Sequence, residues 1–168
     1  MAVVTSKSTT ITNRDAVPQV INDGRLERGT LKSATGSVTA VSGDSVGSIY
    51  VIASLPSTAM VRQVLLSCGA LTAGAANIGV YRNTKDGAAA VNASLFAAAQ
   101  SLATALSNLD VTNQSTANGA AAQELPLWQA AGLTSDPGRP LDISLTLTGA
   151  PTAGGVVGLK VYYVDNGS

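Results

Sequence analysis

From Leu141 the chain alternates without a fault: Leu141, Ile143, Leu145 and Leu147 on one side, Asp142, Ser144, Thr146 and Thr148 on the other. A period of two places successive side chains on opposite faces of an extended strand, so this run predicts a strand with one buried face. After a connection containing Gly149, Pro151, Gly154 and Gly155, a second alternating run sets Val157, Leu159, Val161 and Tyr163 against Lys160 and Tyr162. The two runs are expected to pair as an antiparallel closing hairpin.

The same grammar recurs upstream. Residues 37–41 and 49–53 read as strands separated by the turn Ser42-Gly43-Asp44-Ser45, and Leu55-Pro56-Ser57-Thr58 breaks the pattern. Residues 61–68 and 77–82 read as a further strand pair around a Gly/Ala-rich connection. Asn92 or Ser94 can cap a helix running to about Asn108, with Leu95, Leu102 and Leu106 on one side. Pro126 suits a first helical turn and Gly132 the end of a short helix carrying Leu127 and Trp128. Residues 113–122 are small and polar, as in an exposed loop, and Asp136-Pro137-Gly138 reads as a turn. Short strands with glycine-bearing turns define an all-β protein: an antiparallel jelly roll or β-sandwich with one or two short helices across an end or edge.

Residues 1–34 follow no such period and are expected to form an extended N-terminal arm, leaving 35–168 as the sandwich domain. Val3, Ile11, Val17, Val20, Ile21, Leu26 and Leu31 are spaced irregularly, Pro18 forbids an uninterrupted helix, and Asn22-Asp23-Gly24 reads as a turn. Apolar residues without a common face cannot bury one another within the segment. The arm therefore either adds a strand to the sandwich or finds its partner on another molecule. The residues expected to anchor it on a partner are Ile11, Val17, Pro18, Val20, Ile21 and Leu26.

The chemistry available to the chain is narrow. Its 168 residues include no histidine, and only 12% are charged. Histidine is the side chain that titrates nearest neutrality and the commonest metal ligand, so neither a catalytic site, a metal site nor a cofactor is expected. Cys68 stands alone, which excludes an internal disulfide and leaves a thiol with no histidine to activate it. Net charge is zero, against the basic footprint that general nucleic-acid binding needs. The arm carries +2 and the remainder −2. No apolar run approaches a membrane span and no secretory signal opens the chain, so neither a membrane nor a nucleic acid is an expected partner.

Other motifs have plain explanations. Gly154-Gly155 with Gly158 lacks the strand–loop–helix order and the lysine of a phosphate loop. Asp110, Asp136 and Asp142 lack the spacing of a calcium loop. Tyr50, Tyr81, Tyr162, Tyr163 and Trp128 could form a sugar-stacking platform, but packing in the core or at its rim is the better expectation.

Three segments carry a likeness: Gly47-Ser48-Ile49-Tyr50 followed by Leu55-Pro56-Ser57-Thr58-Ala59, the stretch from Pro126 to Leu133 before Asp136-Pro137-Gly138, and the closing pair of strands. In these the chain resembles the capsid decoration (cement) proteins and related small virion proteins of tailed bacteriophages. The resemblance implies a protein of the virion, on the capsid exterior and assembled in the host cytoplasm. It further implies a homodimer or homotrimer that binds the major capsid protein and bridges its subunits. Two other classes stand beside it: a tail- or fibre-associated receptor- or glycan-binding sandwich, expected to group aromatics on exposed loops, and a carboxylate-based hydrolase, which the scattered acids make weakest.

Overall fold

In the computed structural model, which describes residues 4–165, the alternating runs become strands. There are eight: β1 (Leu31–Ala40), β2 (Ile49–Leu55), β3 (Met60–Cys68), β4 (Ala75–Arg82), β5 (Ala90–Ser101), β6 (Leu106–Asp110), β7 (Leu141–Gly149) and β8 (Gly155–Val164). They build an antiparallel β-sandwich of two four-stranded sheets, ordered β1-β8-β3-β6 and β2-β7-β4-β5. The inner faces supply the core: Leu141, Ile143, Leu145 and Leu147 of β7 join Val157, Leu159 and Val161 of β8, Val64 and Leu66 of β3, and Ile78 and Val80 of β4 in one apolar cluster.

Three sequence expectations are corrected. The two closing strands do not pair as a hairpin. β7 lies between β2 and β4, and β8 lies between β1 and β3 in the facing sheet. Alternation reports which face of a strand is buried, and two strands facing each other across a sandwich core show the same pattern as two neighbours in one sheet. For the same reason β3 and β4, expected as a pair, sit in different sheets. The third correction is the expected helix over 92–108, which is instead β5, a turn and β6. β5 bulges strongly: Asn92 lies opposite Val80 and Ala97 opposite Ile78, so the intervening residues of β5 face a single residue of β4. Ala99 and Asn108 take positive φ values of 48° and 49°, outside any right-handed helix. Pairing with a neighbouring strand overrides the helical preference of an alanine-rich stretch.

The short helix α3 (Leu127–Ala130) follows Pro126 and ends at Gly132, whose φ is +95°. Residues 113–122 form a mostly exposed connection containing short 3-10 turns; Asn118 is the exception, buried with its amide donating to the Thr112 carbonyl at 2.7 Å. At the N-terminus, β1 reaches back to Leu31, opposite Val164, so residues 31–34 belong to a paired strand. Ahead of it lie two short helices, α1 (Thr9–Arg14) and α2 (Gly24–Glu27), so the arm is less extended than expected. Val3 lies outside the described residues.

Candidate interaction surfaces

The arm is ordered by polar contacts, and neither of its helices buries a residue. Ser8 caps α1 by accepting the Ile11 N–H. Asn22 ties the two helices together, accepting from the Asn13 amide at 2.8 Å while donating to Glu27 at 2.8 Å and to the Thr10 carbonyl at 3.1 Å. Lys7 and Arg14 both pair with Asp15 at 2.8 Å, and hold its carboxyl below the usual carboxylate range, Arg14 contributing most.

Around this polar frame the apolar side chains face outward. Val17 is 98% exposed, Ile21 94% and Val20 49%. Pro18 is exposed beside them, whereas Ile11 on α1 and Leu26 on α2 are half-buried. Val20 and Ile21 share one cleft of about 560 Å³ with Arg14 and Arg28; Ile11, Val17, Pro18 and Leu26 do not line it.

At its base the arm is clamped to the sandwich. The Arg25 guanidinium donates to the Thr58 carbonyl at 2.8 Å, and Arg62 donates to the carbonyls of Arg25 at 2.7 Å and Gln123 at 3.0 Å. Two of the segments singled out in the sequence meet here. The Leu127 and Trp128 N–H groups donate to the carbonyls of Ala59 (2.8 Å) and Ser57 (3.1 Å). The Ser57 hydroxyl donates to Asp136 at 2.6 Å, and with the Gly138 N–H it holds that carboxyl below its ordinary range. Sequence reasoning missed Arg25 and Arg62, because an isolated arginine carries no signal of the carbonyl it will meet.

The opposite end of the sandwich displays a second apolar group. Val41 and Val46 in the β1–β2 connection are 59% and 61% exposed, Val156 at the start of β8 is 55% exposed, and Ile49 and Val51 on β2 are about half exposed. A signal for the last two was present: β2 is apolar at consecutive positions, so one of its faces had to remain outside the core.

The remaining candidates are dispersed. Trp128, Tyr50 and Tyr163 pack against the core and Tyr81 is buried, so the aromatics form no platform on the loops. Asp44 sits in the turn after β1, and its carboxylate accepts from the Tyr50 hydroxyl at 2.6 Å and the Val41 N–H at 2.9 Å. Asp110, Asp136 and Asp142 are not gathered; no group of three or more cysteine, aspartate or glutamate side chains suited to a metal occurs among the described residues. Cys68 is buried at the end of β3, and burial pushes its thiol pKa up, away from the thiolate a nucleophile needs. Gly155 and Gly158 lie within β8. Among the described residues no helix is long and apolar enough to cross a membrane.

Fold and surface together define an all-β sandwich that presents apolar side chains at both ends and carries a polar-framed arm at one of them. No family model and no curated protein matches the sequence. The fold is similar to that of two chains in solved phage structures. One comes from the capsid of Ralstonia phage GP4, with a TM-score of 0.56 and 15% identity over 83% of this chain and 87% of that one. The other comes from the cyanophage Pam1 capsid asymmetric unit, with a TM-score of 0.50 and 17% identity over 86% of this chain and 91% of that one. At such identities the likeness is one of fold.

Proposed function

We propose that this chain is a structural virion protein that binds the outer surface of a phage capsid and bridges major capsid subunits, without catalysing a reaction. The interleaved strand order, β1-β8-β3-β6 facing β2-β7-β4-β5, is the winding of an eight-stranded jelly roll, an architecture used in viral capsid domains. The likeness of fold to two capsid chains supports the same setting. The observation that carries the reading is the arm: Val17 and Ile21 stand almost fully exposed on a segment that its own hydrogen bonds hold in shape. Such side chains gain free energy only when another surface covers them.

A shell presents the same surface many times, so a dimer or trimer of this chain engages several copies at once. Linked contacts then hold far more tightly than any one of them. The arm supplies anchors at one end and the sandwich supplies the rigid body that spans to a neighbour.

The test is attachment to purified particles that lack the protein, followed by imaging. The full chain is expected to co-sediment with the particles and appear as density over the capsid lattice. Val17→Asp with Ile21→Asp is expected to stay folded and remain in the supernatant. Density on the tail, or no co-sedimentation of the full chain, overturns the proposal, and undiminished attachment of the double variant overturns the arm's part in it.

A further inference from the structure

Each sheet of the sandwich has two edge strands, whose outer N–H and C=O groups face no further strand of the fold. Such edges invite pairing with another chain, and proteins blunt them by shortening, bulging or charging the strand. Three of the four edges here are blunted. β6 has only five residues, β2 breaks register with β7 between Val51 and Ala53, and β5 breaks register with β4 three times. β1 is different. It runs for ten residues in unbroken register with β8 and contains no proline. Its single charge, Lys32, is paired with Asp165 at 3.8 Å. Among the described residues, no backbone hydrogen bond joins residues 31–40 to anything other than β8.

The residues of β1 favour one partner for that edge, a second copy of the same strand. Its solvent face carries Leu31, Ser33, Thr35, Ser37 and Thr39, followed by Val41 just past the strand, and all six are exposed. By chemical class this order reads the same in both directions about Gly36: one apolar residue, four hydroxyls, one apolar residue. An antiparallel copy related by a two-fold axis at Gly36 sets Leu31 against Val41, Ser33 against Thr39 and Thr35 against Ser37, and symmetry makes each contact twice. Leu31 and Val41, both 59% exposed in the single chain, then cover each other at both ends of the pairing. Between them, Ser and Thr stand opposite one another, a favourable cross-strand pair. Lys32 falls opposite Ala40, so no like charges meet. Sliding the copies by two residues in either direction parts Leu31 from Val41, which selects this register. We infer that β1 pairs with β1 of a second copy, joining two sandwiches through one continuous sheet. The pairing supplies the self-association in the proposed function and rests on that reading only for its purpose, since it is a property of the chain in solution.

The test is sedimentation equilibrium of the full chain without particles, so that its failure is separate from a failure to attach to capsids. The chain is expected to form a dimer with a dissociation constant of about 1 μM or lower. Thr35→Glu with Ser37→Glu, both on the exposed face, sets carboxylate against carboxylate twice in the pairing and is expected to weaken the dimer roughly tenfold or more. Thr35→Glu with Ser37→Lys sets opposite charges against each other in the same two places and is expected to dimerise within about threefold of the parent. Circular dichroism of both variants is expected to match that of the parent, because neither position contributes to the core. The inference is overturned if the full chain stays monomeric at about 100 μM, or if it forms a trimer in place of a dimer. It is equally overturned if the two double variants associate alike.

Discussion

A Cβ placed on Gly36 would lie 2.1 Å from the Ile52 carbonyl oxygen, and one on Gly79 would lie 2.1 Å from that of Asn92. Both obstacles are backbone, so neither can rotate away. At Gly36 the edge strand of one sheet crosses against β2 of the other, and at Gly79 the bulge of β5 folds over β4. Gly36→Ala and Gly79→Ala are each expected to cost about 2 kcal/mol or more, read as a lower denaturation midpoint. Ser144 sits directly opposite Gly79 in the sheet, fully buried, with its Oγ unpartnered. Removing that hydroxyl abolishes an unmet desolvation cost, so Ser144→Ala is expected to be neutral or to stabilise by up to about 1 kcal/mol, with an unchanged denaturant slope. Tyr50 adds a pH dependence. Burial, and then its hydrogen bond to Asp44, push its pKa up to about 12. A phenol whose folded pKa is raised contributes stability that is complete below its unfolded value near 10 and disappears as pH climbs through the folded one. Tyr50→Phe should therefore flatten part of the stability loss between pH 10 and 12, measured by denaturation at paired pH values.

Elements were legible in the sequence to different degrees, and the difference is physical. β7 and β8 announce themselves because their apolar residues alternate onto the core face, but their neighbours could not be read, since pairing in a sheet and facing across a core leave the same alternation. β5 was hidden: its bulge breaks the period of two, and alanine and serine carry little strand preference to replace it. Within the candidate sites, the arm's irregular apolar spacing was visible, whereas its attachment to the body was not, because Arg25 and Arg62 meet backbone carbonyls distant in sequence. The same gap hides the bond holding β6 to β3. The Thr112 hydroxyl accepts the Val64 N–H at 2.8 Å and donates to Asp110 at 2.6 Å, and the side chain is nearly inaccessible. Thr112→Val conserves shape but leaves the buried Val64 N–H without its acceptor, and is expected to cost about 1–3 kcal/mol in chemical denaturation. Gln63→Ala, which removes only an exposed donor to Asp110, is expected to stay within about 0.5 kcal/mol of the parent.

The molecule as a whole is a sandwich whose stability and whose adhesion reside in different parts. The core cluster draws on all but the arm: its innermost members run from Ala40 to Val161, and none comes from residues 4–30. What joins arm to body is a handful of hydrogen bonds from Arg25 and Arg62 to backbone carbonyls at the surface, each worth about 1 kcal/mol net. Removing residues 1–30 stops just short of β1, so every strand and its register survive the cut. The truncated protein is expected to unfold in one cooperative transition, lowered by only a few degrees, since about 1 kcal/mol corresponds to roughly 2–4 °C for a chain of this size. Its attachment to particles, by contrast, is expected to fall to background, because Val17, Val20 and Ile21 leave with the arm. Calorimetry and co-sedimentation on the same preparation separate the two quantities. A large loss of thermal stability would mean that the arm belongs to the fold, and retained attachment would mean that the far-end group around Val41, Val46 and Val156 does the holding.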